Sequence, residues 1–130
     1  MNIFFRKKKR RSRFSNEQLC MQPQIREAVD AWVVRKGYTK RLPTVEAMAA
    51  DIGIPTDQLS LHVRIRYRKS VLTWRKELRI REAQTLLRQF PNVPISVIGE
   101  MVGIDDKTNF KRQFFQITGT MPRVWREKRR

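Results

Sequence analysis

The sequence predicts an all-α protein built from two small three-helical subdomains joined by one long connecting helix. Three observations carry that prediction. Apolar residues recur at helical spacing through most of the chain, and runs alternating polar with β-branched residues are absent. A ten-residue stretch occurs twice: Val45-Glu46-Ala47-Met48-Ala49-Ala50-Asp51-Ile52-Gly53-Ile54 aligns with Ile95-Ser96-Val97-Ile98-Gly99-Glu100-Met101-Val102-Gly103-Ile104 at an offset of 50, apolar on apolar and small on small. The match then continues at an offset of 51, Leu59 with Phe110, Val63 with Phe114 and Trp74 with Trp125, so one residue is inserted just after Ile104.

Seven helices follow in order, near 22–36, 44–52, 56–66, 71–89, 95–102, 106–117 and 121–128. The first rests on Ile25, Val29, Trp32 and Val33, with Arg26, Glu27, Asp30 and Arg35 between them, and Gly37 is expected to stop it. Thr44, after Leu42-Pro43, reads as the N-cap of the second. The fourth places Trp74, Leu78, Ala83, Leu86, Leu87 and Phe90 on one stripe, and Pro91 and Pro94 end it. Asp106 is a suitable N-cap for the sixth, or Asp105 if that helix starts one residue earlier.

Each copy of the repeat has the grammar of a helix-turn-helix. Two helices that meet steeply must approach closely, so the fifth residue of the first helix should be small: Ala49 in one copy, Gly99 in the other. Four residues later the chain should leave the helix with positive φ, which favours glycine, and Gly53 and Gly103 stand there. Met48, Ile52, Ile54 and Leu59, echoed by Ile98, Val102, Ile104 and Phe110, line the expected cores.

Charge narrows the function. There are 29 Lys and Arg against 12 Asp and Glu, a net +17 over 130 residues, with a pI near 11.4. The first fourteen residues hold seven of the basic ones and no acidic one; 29 minus 7 leaves 22 against 12, so the remainder still carries +10. Such a field attracts polyanions, nucleic acid first and anionic membrane second. Residues 1–16 are expected to form a disordered basic tail. A rival reading makes Ile3-Phe4-Phe5 and Arg6 to Arg11 the cytoplasmic edge of a membrane helix lost upstream, the chain then being a fragment of an anchored regulator.

Other classes find little support. Cys20 and His62 are the only cysteine and histidine, which argues against a disulfide or a Cys/His zinc site, and no metal or cofactor is expected. No apolar run is long enough to span a bilayer, and Met1 to Phe5 is too short for a signal peptide, so the expected place is the cytoplasm. No Gly-rich phosphate loop, paired histidines or acidic cluster suggests an enzyme. His62 reads as a packing residue, and Arg126 to Arg130 as a tail near a phosphate or a frayed end.

The stretch Gly103-Ile104-Asp105-Asp106-Lys107-Thr108-Asn109-Phe110, then Arg112-Gln113-Phe114 and Thr118-Gly119-Thr120-Met121-Pro122-Arg123-Val124-Trp125-Arg126, resembles the second helix-turn-helix of AraC/XylS transcription regulators. Trp74 to Ile80 with Ala83, Leu86 and Leu87 is similar to that family's connecting helix. The resemblance covers roughly residues 22–128, with helix-turn-helix motifs at 44–66 and 95–117 about a connecting helix at 71–89. It implies a sequence-specific bacterial regulator that binds double-stranded DNA, with a recognition helix of each motif in successive major grooves. A monomer on DNA and RNA polymerase as a further partner belong to the same expectation. Fuller members carry an N-terminal sensing or dimerising domain, for which this chain has no room.

Physics makes the arrangement workable. Successive major grooves on one face of a duplex lie roughly 34 Å apart, and a helix of about 19 residues is roughly 28 Å long. In the second recognition helix Phe110 and Phe114 face inward, leaving Lys107, Thr108, Asn109 and Arg112 outward with Lys111 at the edge. Arg or Lys suits guanine, Asn adenine, and Thr the thymine methyl. In the first, Leu59 and Val63 face inward and Asp57, Ser60 and Leu61 take the reading positions. Arg64, Arg66, Arg68 and Lys69 then read as phosphate contacts, with Lys111 in the same role in the second motif. The first copy departs from the family where Pro55-Thr56 replaces an initial serine, Leu61 a polar reader, and Arg68 a glycine after the helix.

Overall fold

The computed structural model describes residues 23–128, which contain seven α-helices and one 3₁₀ turn and no strand. The basic tail expected at 1–16, Cys20 and the terminal Arg129-Arg130 lie outside the described residues. The chain divides into two compact units. One contains residues 23–35 and 42–71, the other residues 36–41 and 72–128.

The first unit holds α1 (Pro23–Val34), α2 (Val45–Ile52) and α3 (Thr56–Tyr67). Thr44 caps α2 as its sequence position suggests, its hydroxyl accepting from the Ala47 N–H at 3.0 Å. Gly53 ends α2 at φ 96°, returning its N–H to the Ala49 carbonyl. Val29, Trp32, Met48, Ala49, Leu59 and Val63 are buried together with His62. Polar bonds fix the three helices at their edges. Trp32 donates its indole N–H to Asp51 on α2 at 2.8 Å, and Arg66 on α3 pairs with Asp30 on α1 at 2.8 Å. An indole N–H buried without a partner would cost about 1–3 kcal/mol, so Asp51 lets Trp32 sit at the centre.

The second unit holds α4 (Val71–Gln89, whose first residue belongs to the first unit), α5 (Ile95–Met101), α6 (Lys107–Thr118) and α7 (Pro122–Lys128). Ile80, Ala83, Leu87, Ile98, Val102, Phe110, Phe114 and Trp125 form its core. Phe110, Phe114 and Trp125 meet edge to face, with centroids 5.9 and 6.3 Å apart, the favoured geometry for aromatic rings.

Segment 36–41 precedes α2 in the chain yet belongs to this second unit. Its anchor is Arg79 of α4, which donates Nε to the Tyr38 carbonyl at 2.6 Å and Nη2 to the Lys40 carbonyl at 2.8 Å. Lys36 pairs with Glu82 at 2.7 Å. Arg41 makes a bidentate pair with Asp105 and also donates to the Glu100 carbonyl. The loop is therefore held by cations that reach its carbonyls from α4, or reach out from it to α5 and the turn before α6.

The first helix ends at Val34, ahead of Gly37 as expected, and Lys36 takes a left-handed turn at φ 61°, its carbonyl accepting from both the Thr39 N–H and hydroxyl. Two sequence expectations change. Phe90 is not on the buried stripe of α4, since that helix ends at Gln89 and Phe90 turns outward; Ile80 and Arg79 are buried instead. Arg126 is not frayed. It donates to the carbonyls of Leu87, Phe90 and Val93, closing the C-terminal end of α4.

Candidate nucleic-acid interface

The second motif forms because two close approaches are built into its turn. A Cβ on Gly99 would lie 2.9 Å from Phe110 Cγ and 3.1 Å from the Ile104 carbonyl, so the α5–α6 crossing needs glycine. At the equivalent point of the first motif, Leu59 stands where Phe110 does, and Ala49 is accommodated and buried. Gly103 has φ 96°, and a Cβ there would fall 2.6 Å from the Thr39 carbonyl. The chain then enters α6 through Asp106, whose carboxylate caps the Asn109 N–H at 2.8 Å. Asp105 is excluded as the cap because Arg41 holds it. That hydrogen bond keeps its carboxyl below the ordinary carboxylate value.

With Phe110 and Phe114 buried, α6 turns a polar face outward. Lys107, Thr108, Lys111 and Arg112 are exposed and Asn109 is half-buried. Arg112 donates Nη2 to the Asn109 side-chain oxygen, so the two candidate readers are held as a pair one turn apart. Phe115 continues this face and is 52% exposed, a site that sequence reasoning passed over because it stands beside the buried Phe114.

Both edges of that face carry further positive charge. On one edge, Lys107 and Lys111 share a groove of about 350 Å³ with Ser96, Arg123, Met121 and Val124. On the other, Gln113 borders a hollow of about 220 Å³ lined by Leu72, Thr73, Arg75, Lys76 and Arg79. Sequence reasoning missed the second group because α4 was read only for its apolar stripe. The available signal was the spacing of Arg75 and Arg79, four apart and so on one side of the helix.

The outward face of α3 is different. Asp57 is exposed, whereas Ser60 and Leu61 are half-buried. Pro55 at the N-cap offers no side-chain bond, and Asp57 in the first turn supplies the negative charge that a helix N-terminus favours, a local reason for its presence. Arg64 is exposed, and Arg68 is exposed at φ 62°, taking the left-handed position that ends α3. Lys69 is half-buried. Arg66, read from sequence with these as a phosphate contact, is engaged by Asp30 and lies over the Tyr67 ring at 5.0 Å. His62 is buried, edge-on to Tyr67, which fits a packing residue.

A family model described as a helix-turn-helix domain matches residues 48–128, more than half of the chain. The arabinose operon regulatory proteins of Salmonella typhimurium (strain LT2) and Escherichia coli (strain K12) are each 34% identical to it over 82 residues, 63% of this chain. The chain belongs to the AraC-type helix-turn-helix family. This AraC-type domain spans 29% and 28% of the length of those two relatives. Among solved structures it is similar to the C-terminal domain of AraT, a response regulator from Geobacillus stearothermophilus, with a TM-score of 0.71 and 25% identity over 84% of this chain and 88% of that one. An AraC-type regulator from Chromobacterium violaceum shares the fold with a TM-score of 0.70 at 23% identity, covering 83% and 93%. So does the DNA-binding domain of AdpA solved with a target DNA, with a TM-score of 0.67 at 18%, covering 82% and 93%. Family and fold are those of DNA-binding transcription regulators rather than enzymes. Among the described residues no helix is long and apolar enough to cross a membrane.

Proposed function

We propose that this AraC-type domain regulates transcription by binding a specific DNA site as a monomer, with α3 and α6 in successive major grooves and unequal shares of the reading. The observation that carries this is the contrast between the two outward faces. That of α6 offers Lys107, Thr108, Asn109 and Arg112, a set matched to base edges, with Lys111 beside them. That of α3 offers Asp57, Ser60 and Leu61, with Arg64, Arg68 and Lys69 as the phosphate contacts of this reading. On this reading α6 supplies most of the specificity and α3 mostly affinity.

The test is a base-swap series on a duplex selected from a random pool by the protein itself. Swaps in the half-site under α6 are expected to cost about 1–3 kcal/mol each, and those under α3 distinctly less. Equal penalties in the two halves would sink the asymmetry. Arg112→Ala is expected to relax preference at one base pair, and equal losses on selected and random duplexes would remove Arg112 from reading. Sedimentation of the complex checks the one-to-one stoichiometry, and reconstituted transcription tests RNA polymerase as a partner.

A further inference from the structure

The hollow bordered by α4 and Gln113 collects three cationic side chains, Arg75, Lys76 and Arg79, with Thr73 and Gln113 as polar neighbours and no carboxylate in its lining. Arg75 and Arg79 lie four apart on one helix, a like-charge pair that weakens a helix rather than supporting it. Burial adds to the cost. It pushes the Arg79 guanidinium down to about 10, with the Arg75 charge contributing, and it lowers Arg75 as well. Arg79 anchors the 36–41 loop through two of its donors, while the apolar core of the unit is formed by Ile80, Ala83, Leu87 and their neighbours.

Geometry makes the site ready for an anion. Arg79 is buried and pinned through Nε and Nη2 to two carbonyls, so its position costs no side-chain entropy on binding. At about 220 Å³ the hollow falls below the range usual for organic ligands, and its polar lining suits a single phosphate group. Its place matters as much. A helix in the major groove has a phosphodiester strand along each wall. Lys107 and Lys111 lie on one edge of α6, and Gln113 brings this hollow to the other.

We propose that the hollow formed by Thr73, Arg75, Lys76, Arg79 and Gln113 is a phosphate-binding site that seats a backbone phosphate of the DNA strand flanking the base pairs read by α6. The inference rests on the reading of α6 as a recognition helix. The long helix is then a DNA-contacting element in its own right. A free phosphorylated small molecule offers the same chemistry and is the competing source.

A methylphosphonate scan of the selected duplex, one phosphate neutralised at a time, tests the site. Wild type is expected to lose at least about five-fold in affinity at one phosphate beside the α6 half-site. In Arg75→Gln/Lys76→Gln that position falls silent while the other sensitive phosphates keep their effects, and the salt slope shrinks by about 0.9 for each phosphate the protein no longer neutralises. Lys76→Gln alone is the milder variant should the double one fold poorly, and thermal melting checks both. Unchanged scan and slope in the folded variants would overturn the proposal, as would equal weakening at every phosphate. Inorganic phosphate and a nucleoside diphosphate, titrated by NMR into DNA-free protein, separate the sources. Micromolar saturation at Arg75 and Lys76 by either one would overturn the backbone assignment in favour of a soluble ligand; no saturation below about 10 mM supports the backbone. If Arg112→Ala loses preference at one base pair while the scan of the double variant is unchanged, the phosphate site alone fails. If Arg112→Ala leaves every base preference intact, the reading of α6 fails.

Discussion

Gly53, Gly99 and Gly103 look alike in the repeat but bear different constraints. A side chain at Gly53 meets nothing within 4 Å, so its requirement is the backbone angle alone. Gly53→Ala is expected to cost about 1–2 kcal/mol, the penalty for a left-handed residue. Gly99→Ala meets Phe110 and the Ile104 carbonyl, and overpacking of this kind costs about 1–3 kcal/mol. Gly103→Ala combines both penalties and should be the worst of the three, because the atom it meets is the backbone of the 36–41 loop. Urea unfolding of the three variants ranks them, and a Gly53 variant as damaging as Gly103 would contradict this order. Tyr38 gives the same loop a pH signature. Burial, aided by the Glu82 charge, raises its phenol from 10.0 to about 12. A folded pKa above the unfolded one means stability present in full below pH 10 and lost as pH rises through about 12. Alkaline unfolding should therefore steepen in that window, and Tyr38→Phe should abolish the steepening.

At the scale of elements, helix ends decide most of the design. Thr44 and Asp106 were legible as caps because a short oxygen-bearing side chain stood three residues before a donor that needed it. Replacing either by Ala should cost about 0.5–2 kcal/mol. The boundaries of α4 followed from Val71 through Gln89 and the prolines beyond. What closes that helix did not, since the Arg126 carbonyl contacts lie 33 to 39 residues away in sequence. Arg126→Ala is expected to fray the last turn of α4, read as faster amide exchange at Phe90 and Val93. Arg68 separates stability from binding. Arg68→Gly relieves a left-handed arginine but frees the unfolded chain, so the two effects offset to within about 1 kcal/mol. If Arg68 meets a phosphate, the variant loses affinity on every duplex alike while its melting temperature stays put.

Over the whole molecule, the net +17 points to a polyanion, but charge alone does not say which cations face it. Arg41, Arg66 and Arg126 are committed to carboxylates or carbonyls inside their own units, whereas Arg79 uses two of its donors that way and also borders the basic hollow. Lys107, Lys111 and Arg112 are exposed on α6. Substituting the first group should lower stability before it alters DNA affinity; substituting the second should do the reverse. A melting and gel-shift panel of single alanine variants checks that partition, and Arg41→Ala weakening DNA binding at unchanged stability would break it.

The sequence by itself determined the helices, the repeated turn and the outward face of α6. Those are local properties: a period of 3.6, a glycine where φ is positive, a cap three residues before its donor. Tertiary structure decided which guanidiniums remain available to DNA, that the 36–41 loop joins the second unit, and that α4 carries a basic hollow beside its apolar stripe. An arginine in sequence looks the same whether it meets a phosphate or a carbonyl. Its partner stands 36 residues away for Arg66 and 64 for Arg41, where no periodicity reaches.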